Sequence, residues 1–317
     1  DNSLSDDIVS QRYSLKNTRD WRLSTARKSA GLIDVHEVIE QCAFRPFDNR
    51  WCIFSDIAMD WPRSEVMRHM ARGHNIGLAT ARSNKNPQTD HFFVVDKIME
   101  TKCAESSTQS ALFPLYLYPD EQDLDQTRRI NFDPKLWKKL QKLAKHPTHG
   151  IPDEVQTFDY IYGTLHCPAY RETYTEFLKI DFPRIPWPST PDEFWDISAK
   201  GAQLRGLHLM EPASIGAAPY PFTGEGDNVV DKPVFEGGKI WINPTQYFDA
   251  APDVSWGFYI GGYQPAQKWL KDRKGRALSF DDVKHYQRIL KILSETDRIM
   301  KTITMNLSAE RRSHKSI

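Results

Sequence analysis

The chain has 317 residues, enough for one large or two closely packed domains with a full core. Its 42 basic and 42 acidic residues cancel, which excludes the overall basicity of a small nucleic-acid binder and leaves only local patches to meet phosphate. Nine Trp and an aromatic content of 12% exclude a disordered chain, and no apolar run approaches the length of a membrane span. The four cysteines, Cys42, Cys52, Cys103 and Cys167, have no CxxC spacing. That pattern suits reduced thiols in a cytoplasmic protein better than a zinc site.

Residues 1–30 are polar and show no apolar period, and are expected to be a flexible lead-in. An N-terminal α/β part is expected over 31–120. In it, residues 51–54 read as a strand, Asp60 and Pro62 open a helix over 63–72, and Gly73 ends it. Two strand-like runs, 75–81 and 91–99, then flank a polar loop at 82–90. Arg82, Asn84, Lys85, Asn86 and Gln88 lie in this loop. Guanidinium and amide groups offer paired donors and acceptors that match guanine and adenine edges in a major groove, so the loop is a candidate reader of bases. The run ALFPLYLY at 111–118 is a further strand, and the acidic stretch 120–125 marks the boundary to a C-terminal part over 121–317.

Asp133 and Pro134 open a helix with Leu136, Trp137, Leu140, Leu143 and Ala144 on one face. Its other face carries Lys135, Lys138, Lys139, Lys142 and Lys145, either as a solvated surface or as phosphate contacts. Residues 158–188 predict two helical stretches broken at Cys167-Pro168, followed by a proline-spaced extended segment. Loops and short strands are expected over 190–253, which is rich in Gly and Pro. Ser279, with Asp282 three residues on, caps a long helix whose apolar positions include Val283, Tyr286, Leu290, Leu293 and Met300.

Catalytic motifs are tempting but weak. Phe222-Thr-Gly224-Glu-Gly226 has the FxGxG form of a cofactor-binding turn, and Asn243-Pro244-Thr-Gln246-Tyr247 approaches the NPPY tetrapeptide of adenine methyltransferases. The first follows Pro219 and Pro221 where a buried strand is needed, and the second has an amide where an aromatic ring should stack on a flipped base. His146 with His149, and His166 with Cys167, suit capping and packing better than metal binding. Two further basic clusters lie at 12–28 and 268–276. In the second, Lys271, Arg273, Lys274 and Arg276 crowd a turn at Gly275, as a phosphate clamp would.

Six stretches in order carry a resemblance: RPFDNRW (45–51), PRSEVMRHM (62–70), LFPLYLYP (112–119), YIYGTLHCPAYRETYTEFLKIDFPRIP (160–186), INPTQYF (242–248) and IGGYQPAQKWLKDRKGRALSFDDVKHYQRI (260–289). Together they resemble the C-terminal specificity region of Type ISP restriction-modification enzymes and related methylase-helicase proteins. The resemblance implies a mixed α+β target-recognition domain with small sheets, helical insertions and a long C-terminal helix. It implies double-stranded DNA as partner, along with the methyltransferase and translocase domains of one long polypeptide, and residues 1–30 as a linker from that methyltransferase. AdoMet, ATP and Mg are then expected only in those other domains. This chain is expected to hold no cofactor, metal or catalytic residue, and to direct N6-adenine methylation and ATP-dependent cleavage carried out elsewhere. The alternatives are a divergent AdoMet-dependent methyltransferase built on residues 222–226, and an interdomain scaffold that does not touch DNA.

Overall fold

The computed structural model describes residues 3–120 and 122–307. Residues 1, 2, 121 and 308–317, which belong to the expected lead-in and C-terminal parts, lie outside the described residues. The lead-in is helical. Helix α1 (Asp6–Tyr13) is capped by Ser5, whose hydroxyl accepts from Ile8 N–H, and α2 (Leu23–Ser29) follows. Leu23 is the single buried residue of the two helices, so no apolar period could advertise them in the sequence. Long-range contacts hold them instead: Arg27 pairs with Asp6, and the Trp21 indole donates to the Ile57 carbonyl. A 3-10 turn (Ala30–Leu32) and helix α3 (Val35–Val38) lead into the first sheet.

Strands β1 (Ile39–Arg45) and β2 (Asp48–Ile53) form a hairpin, joined on the other edge of β1 by β5 (Ile98–Met99) in parallel. Helix α4 (Ser64–Ala71) precedes β3 (Gly77–Ala81), which runs between β4 (Phe92–Val95) and β6 (Ser110–Pro114), antiparallel to both. Every residue of β3 and β4 is buried, which fits short, continuously apolar or small runs in the sequence. Strands β7 (Tyr116–Leu117) and β8 (Arg129–Ile130) make a small ribbon beyond this sheet.

Helix α5 (Pro134–Leu143) starts on Asp133, whose carboxylate accepts from Lys135 and Leu136 N–H. Helix α6 (Glu154–His166) is followed by the short helices α7 (Pro168–Thr173) and α8 (Thr175–Leu178). Next comes an extended segment, then α9 (Pro191–His208) and α10 (Pro212–Ile215). Helix α9 corrects the expectation of loops and short strands over 190–253. It packs along α6 so closely that a Cβ at Gly201 would sit 1.9 Å from the Asp159 carbonyl oxygen. Phe194, Ile197, Leu204 and Leu207 keep helical spacing, with Ser198 and Gly201 interrupting the apolar stripe. The legible signal is local: the Thr190 hydroxyl accepts from Glu193 N–H, with Pro191 at the first helical position.

Strands β9 (Phe222–Thr223), β10 (Val234–Glu236), β11 (Lys239–Trp241) and β12 (Tyr247–Phe248) form a sheet in the order β10-β11-β12-β9. Helices α11 (Asp253–Gly257), α12 (Pro265–Lys271) and α13 (Phe280–Met300) complete the chain. The capping box of Ser279 and Asp282 starts α13, which buries Tyr286, Ile289, Leu290, Ile292 and Leu293. The architecture is mixed α/β, and one contiguous core of buried residues runs from Cys42 to Ile303.

Two polar devices bind the N- and C-terminal parts across this core. Phe47 packs edge-on against Phe93 and His208, while its carbonyl accepts from His285 Nε2. Deeper in, the Thr296 hydroxyl donates to the Ile292 carbonyl and stands 2.9 Å from His208 Nε2. Nε2 therefore carries the proton, and His208 Nδ1 accepts from the Tyr162 hydroxyl at 2.5 Å. Burial keeps this imidazole neutral, with a pKa pushed down to about 3.

Candidate nucleic-acid interface

The loop at 82–90 joins β3 to β4 at one end of their sheet, and most of its polar groups face inward. Asn84 is 4% exposed. Its amide N–H groups reach the Gln88 carbonyl (2.6 Å) and His91 Nδ1 (3.0 Å), and its oxygen accepts from Asn86 N–H (2.6 Å). Asn86 donates to Glu105 Oε1 (2.7 Å) and to the Ser106 hydroxyl (3.1 Å). Both asparagines, expected as readers of bases, brace the loop from within: Asn84 is buried with its amide partnered, while Asn86 is half-buried and gives its Nδ2 to Glu105 and Ser106.

Glu105 anchors this brace although nothing in its sequence neighbourhood singles it out. Fully buried, it accepts through Oε1 from Asn86 and from the amide and hydroxyl of Ser107, and burial raises its pKa. Gly261 and Gly262 close over the loop, both with positive φ. A Cβ on Gly262 would meet Asn86 Nδ2 at 2.2 Å, and one on Gly261 would meet the Ala104 carbonyl oxygen at 1.9 Å. The glycine pair of IGGYQP is thus the sequence signal of a tight backbone approach. Further ties run from Asn84 N–H to the Lys179 carbonyl and from Lys85 N–H to the Ser107 hydroxyl.

The polar side chains that remain exposed on this loop are Arg82, Lys85 and Gln88, with Pro87 beside them. Arg82 is paired with Asp181 (Nε to Oδ1, 3.2 Å), yet its side chain is 73% exposed, so the pair is weakly held and easily exchanged for another acceptor.

The turn at 271–276 departs from the expected clamp. Arg273 is a structural cation: its side chain is 13% exposed, lies 3.5 Å above the Trp269 ring and pairs with Asp48, itself 4% exposed. Arg276 pairs with Asp282, Lys274 stands 4.0 Å from Asp231, and Lys271 donates to Gln267. Acidic partners thus neutralise much of the cluster. Lys271, Lys274 and Arg276 are nonetheless exposed.

The FxGxG-like and NPTQY stretches pack on each other. A Cβ at Gly224 would lie 2.0 Å from the Thr245 carbonyl oxygen, and one at Gly226 2.4 Å from Gln246 Oε1. Gln246 is buried and donates to Asn228 Oδ1 while accepting from Asn228 N–H and Asn243 Nδ2. The glycines therefore make room for the chain's own turn. His146 caps its loop, accepting at Nδ1 from Thr148 and His149 N–H. Among the described residues no group of three or more His, Cys, Asp or Glu is placed to hold a metal ion, and no helix is long and apolar enough to cross a membrane.

A family model for the Type ISP C-terminal specificity domain matches residues 3–302. Among solved structures, the chain is similar to part of a DrdV–DNA complex, with TM-score 0.69, 20% identity, 84% of this chain and 28% of that one covered. It is also similar to part of a nuclease-deletion mutant of the Type ISP enzyme LlaGI in complex with a DNA substrate mimic, with TM-score 0.61, 16% identity and coverages of 85% and 25%. A third similarity is to the ATP-dependent Type ISP enzyme LlaBIII bound to DNA, with TM-score 0.67, 14% identity and coverages of 92% and 20%. The chain thus spans between a fifth and just over a quarter of the length of these structures. No curated protein matches it.

Proposed function

Because this chain belongs to the Type ISP C-terminal specificity domain family, we propose that it is the part of a longer restriction-modification polypeptide that selects a short duplex DNA sequence. Methylation of an adenine and ATP-driven cleavage are then the work of other domains, where AdoMet, ATP and Mg belong. The observation that carries the reading is the braced loop at 82–90. Asn84, Asn86 and Glu105 fix its backbone from inside, while Arg82, Lys85 and Gln88 stand out from it. Discrimination between bases needs side chains held rigidly, since a mobile reader spends its hydrogen-bond energy on ordering. Arg suits guanine and Gln suits adenine in the major groove.

The test is methylation profiling of the full-length polypeptide carrying Arg82→Ala or Gln88→Ala. Each is expected to cost about 1 to 3 kcal/mol on the cognate site and to relax the preference at one base pair. An unchanged target preference in both variants removes the loop from the recognition surface.

A further inference from the structure

Two regions of the chain concentrate positive charge, and they differ in what surrounds them. At 271–276 the cations face Asp48, Asp231 and Asp282. On α5, Lys135, Lys138, Lys139, Lys142 and Lys145 are all exposed, and none pairs with an acid among the described residues. The one acid at the start of α5, Asp133, is occupied in capping backbone N–H groups. Unneutralised lysines at i, i+3, i+4 and i+7 form a single stripe. From Lys135 to Lys142 that stripe is about 10 Å long, the rise of about three nucleotides of one strand.

The extended segment that follows α8 connects this stripe to the reader. Asp181 at its start pairs with Arg82 of the loop, and Trp187 near its end lies under Lys139, with Nζ 4.3 Å from the ring. Six residues of extended chain span at most about 20 Å, a little more than half a turn of B-DNA. A loop entering a major groove would therefore leave α5 within reach of the backbone flanking that groove. Prolines at 183, 186 and 188 stiffen the connection.

From this geometry we infer that the lysine stripe of α5 is the phosphate-contacting surface that orients the domain on the duplex, with the 271–276 turn secondary. The inference rests on the DNA reading above and adds a surface to it. Phosphate contacts of this kind position a protein and carry no base information. They act by releasing condensed counterions, so each removed contact is expected to lower the slope of log affinity against log salt by about 0.9.

One competing occupant has a physical basis. An apolar cavity of about 280 Å³ lies against α5, and a second of about 360 Å³ adjoins it through Phe132, Ile161 and Ile185. An acidic segment from elsewhere in the longer polypeptide could lie there and consume the same lysines. The experiment measures affinity for cognate and for random duplex over roughly 50 to 200 mM salt, a range wide enough to define the slope. It uses the full-length polypeptide as wild type, as a Lys135, Lys138 and Lys142→Ala triple variant, and as the same three positions changed to Arg. The inference expects the Ala variant to lose affinity for both duplexes alike, its slope falling by about three, and the Arg variant to keep the wild-type slope. An unchanged slope in the Ala variant overturns it, and a lowered melting temperature alongside that result identifies the acidic segment. Loss of cognate preference with an unchanged slope overturns it too, by making α5 a reader. If the wild type shows no salt-dependent affinity, the DNA reading fails with it. If that affinity is present, only the placement on α5 is at stake.

Discussion

The turn at 271–276 and helix α5 carry similar charge in the sequence and opposite roles in the fold. Arg273 lies inside, sandwiched between the Trp269 ring and the carboxylate of Asp48, and it fastens the β1–β2 hairpin to the end of α12. The lysines of α5 face water without acidic partners among the described residues. A positive residue counted from sequence is therefore either a brace or a free charge, and only the position of distant acids decides which. Braces should reveal themselves in stability and free charges in binding.

The sharpest way to break this contrast is to remove a brace. Arg273→Ala would leave buried Asp48 with only the half-exposed Arg50 as partner, and Asp48→Ala would leave the guanidinium beside Trp269 with only Asp282, 3.9 Å away. Each is expected to destabilise the fold by about 1.5 to 3 kcal/mol, the loss of one buried charge-assisted hydrogen bond. Lys138→Ala should stay within about 0.5 kcal/mol of wild type. Urea unfolding of the three variants measures this directly, and equal stabilities would dissolve the distinction.

Acid sharpens the contrast in a second way, because it acts on braces alone. His208 and His166 are fully buried and their pKa values are depressed, that of His208 to about 3. The unfolded chain binds protons on them near pH 6.5, where the native state does not. Stability is therefore complete above that pH and falls as pH drops below it. At pH 5 His208 is expected to cost about 2 kcal/mol relative to pH 7, and His166 acts in the same direction. Asp90, Asp159 and Glu105 have raised values, also through burial, and shift the opposite way. The His208→Gln variant isolates the imidazole. Its stability at pH 5 should approach its own value at pH 7 more closely than the wild type's does, by about 2 kcal/mol. A parallel pH profile for variant and wild type would show that His208 does not titrate with folding.

How much of this was legible beforehand follows from how local each signal is. Capping chemistry placed α5 and α13 correctly, and the polar loop between two apolar runs was placed correctly between β3 and β4. Helices α1 and α2 escaped because only Leu23 of theirs is buried, and α9 because Ser198 and Gly201 interrupt its apolar stripe of Phe194, Ile197, Leu204 and Leu207. The six family motifs prove to be largely scaffold: Phe47 and Asp48 of RPFDNRW and Gly261 and Gly262 of IGGYQP tie distant segments together. Within the loop, the sequence does not show which polar side chains turn inward and which stay exposed. The partners that turn Asn86 into a brace lie 19 and 20 residues away, and the carbonyl that holds Asn84 N–H belongs to Lys179.

The smallest effect tests that division inside a single loop. Asn84 is buried and Gln88 exposed, although both are amides four residues apart. Asn84→Ala removes the donor to the Gln88 carbonyl and to His91 Nδ1, together with the acceptor for Asn86 N–H. Leaving those buried groups unpaired is expected to cost about 1 to 3 kcal/mol of stability. Gln88→Ala has no partner to strand and should cost under about 0.5 kcal/mol. In binding the two should diverge in kind. Gln88→Ala relaxes the preference at one base pair if that side chain reads it, whereas Asn84→Ala loosens the whole loop and should blunt preference at every position the loop reaches. His91 links this to acid. Its Nδ1 accepts from Asn84 only while neutral, and burial keeps its pKa depressed to about 4. Wild-type preference should therefore hold down to about pH 5 and weaken below it, while the Asn84→Ala variant, having lost that bond already, should show no such further weakening. Matching effects of Asn84→Ala and Gln88→Ala on both stability and preference would mean that the loop is not braced from within.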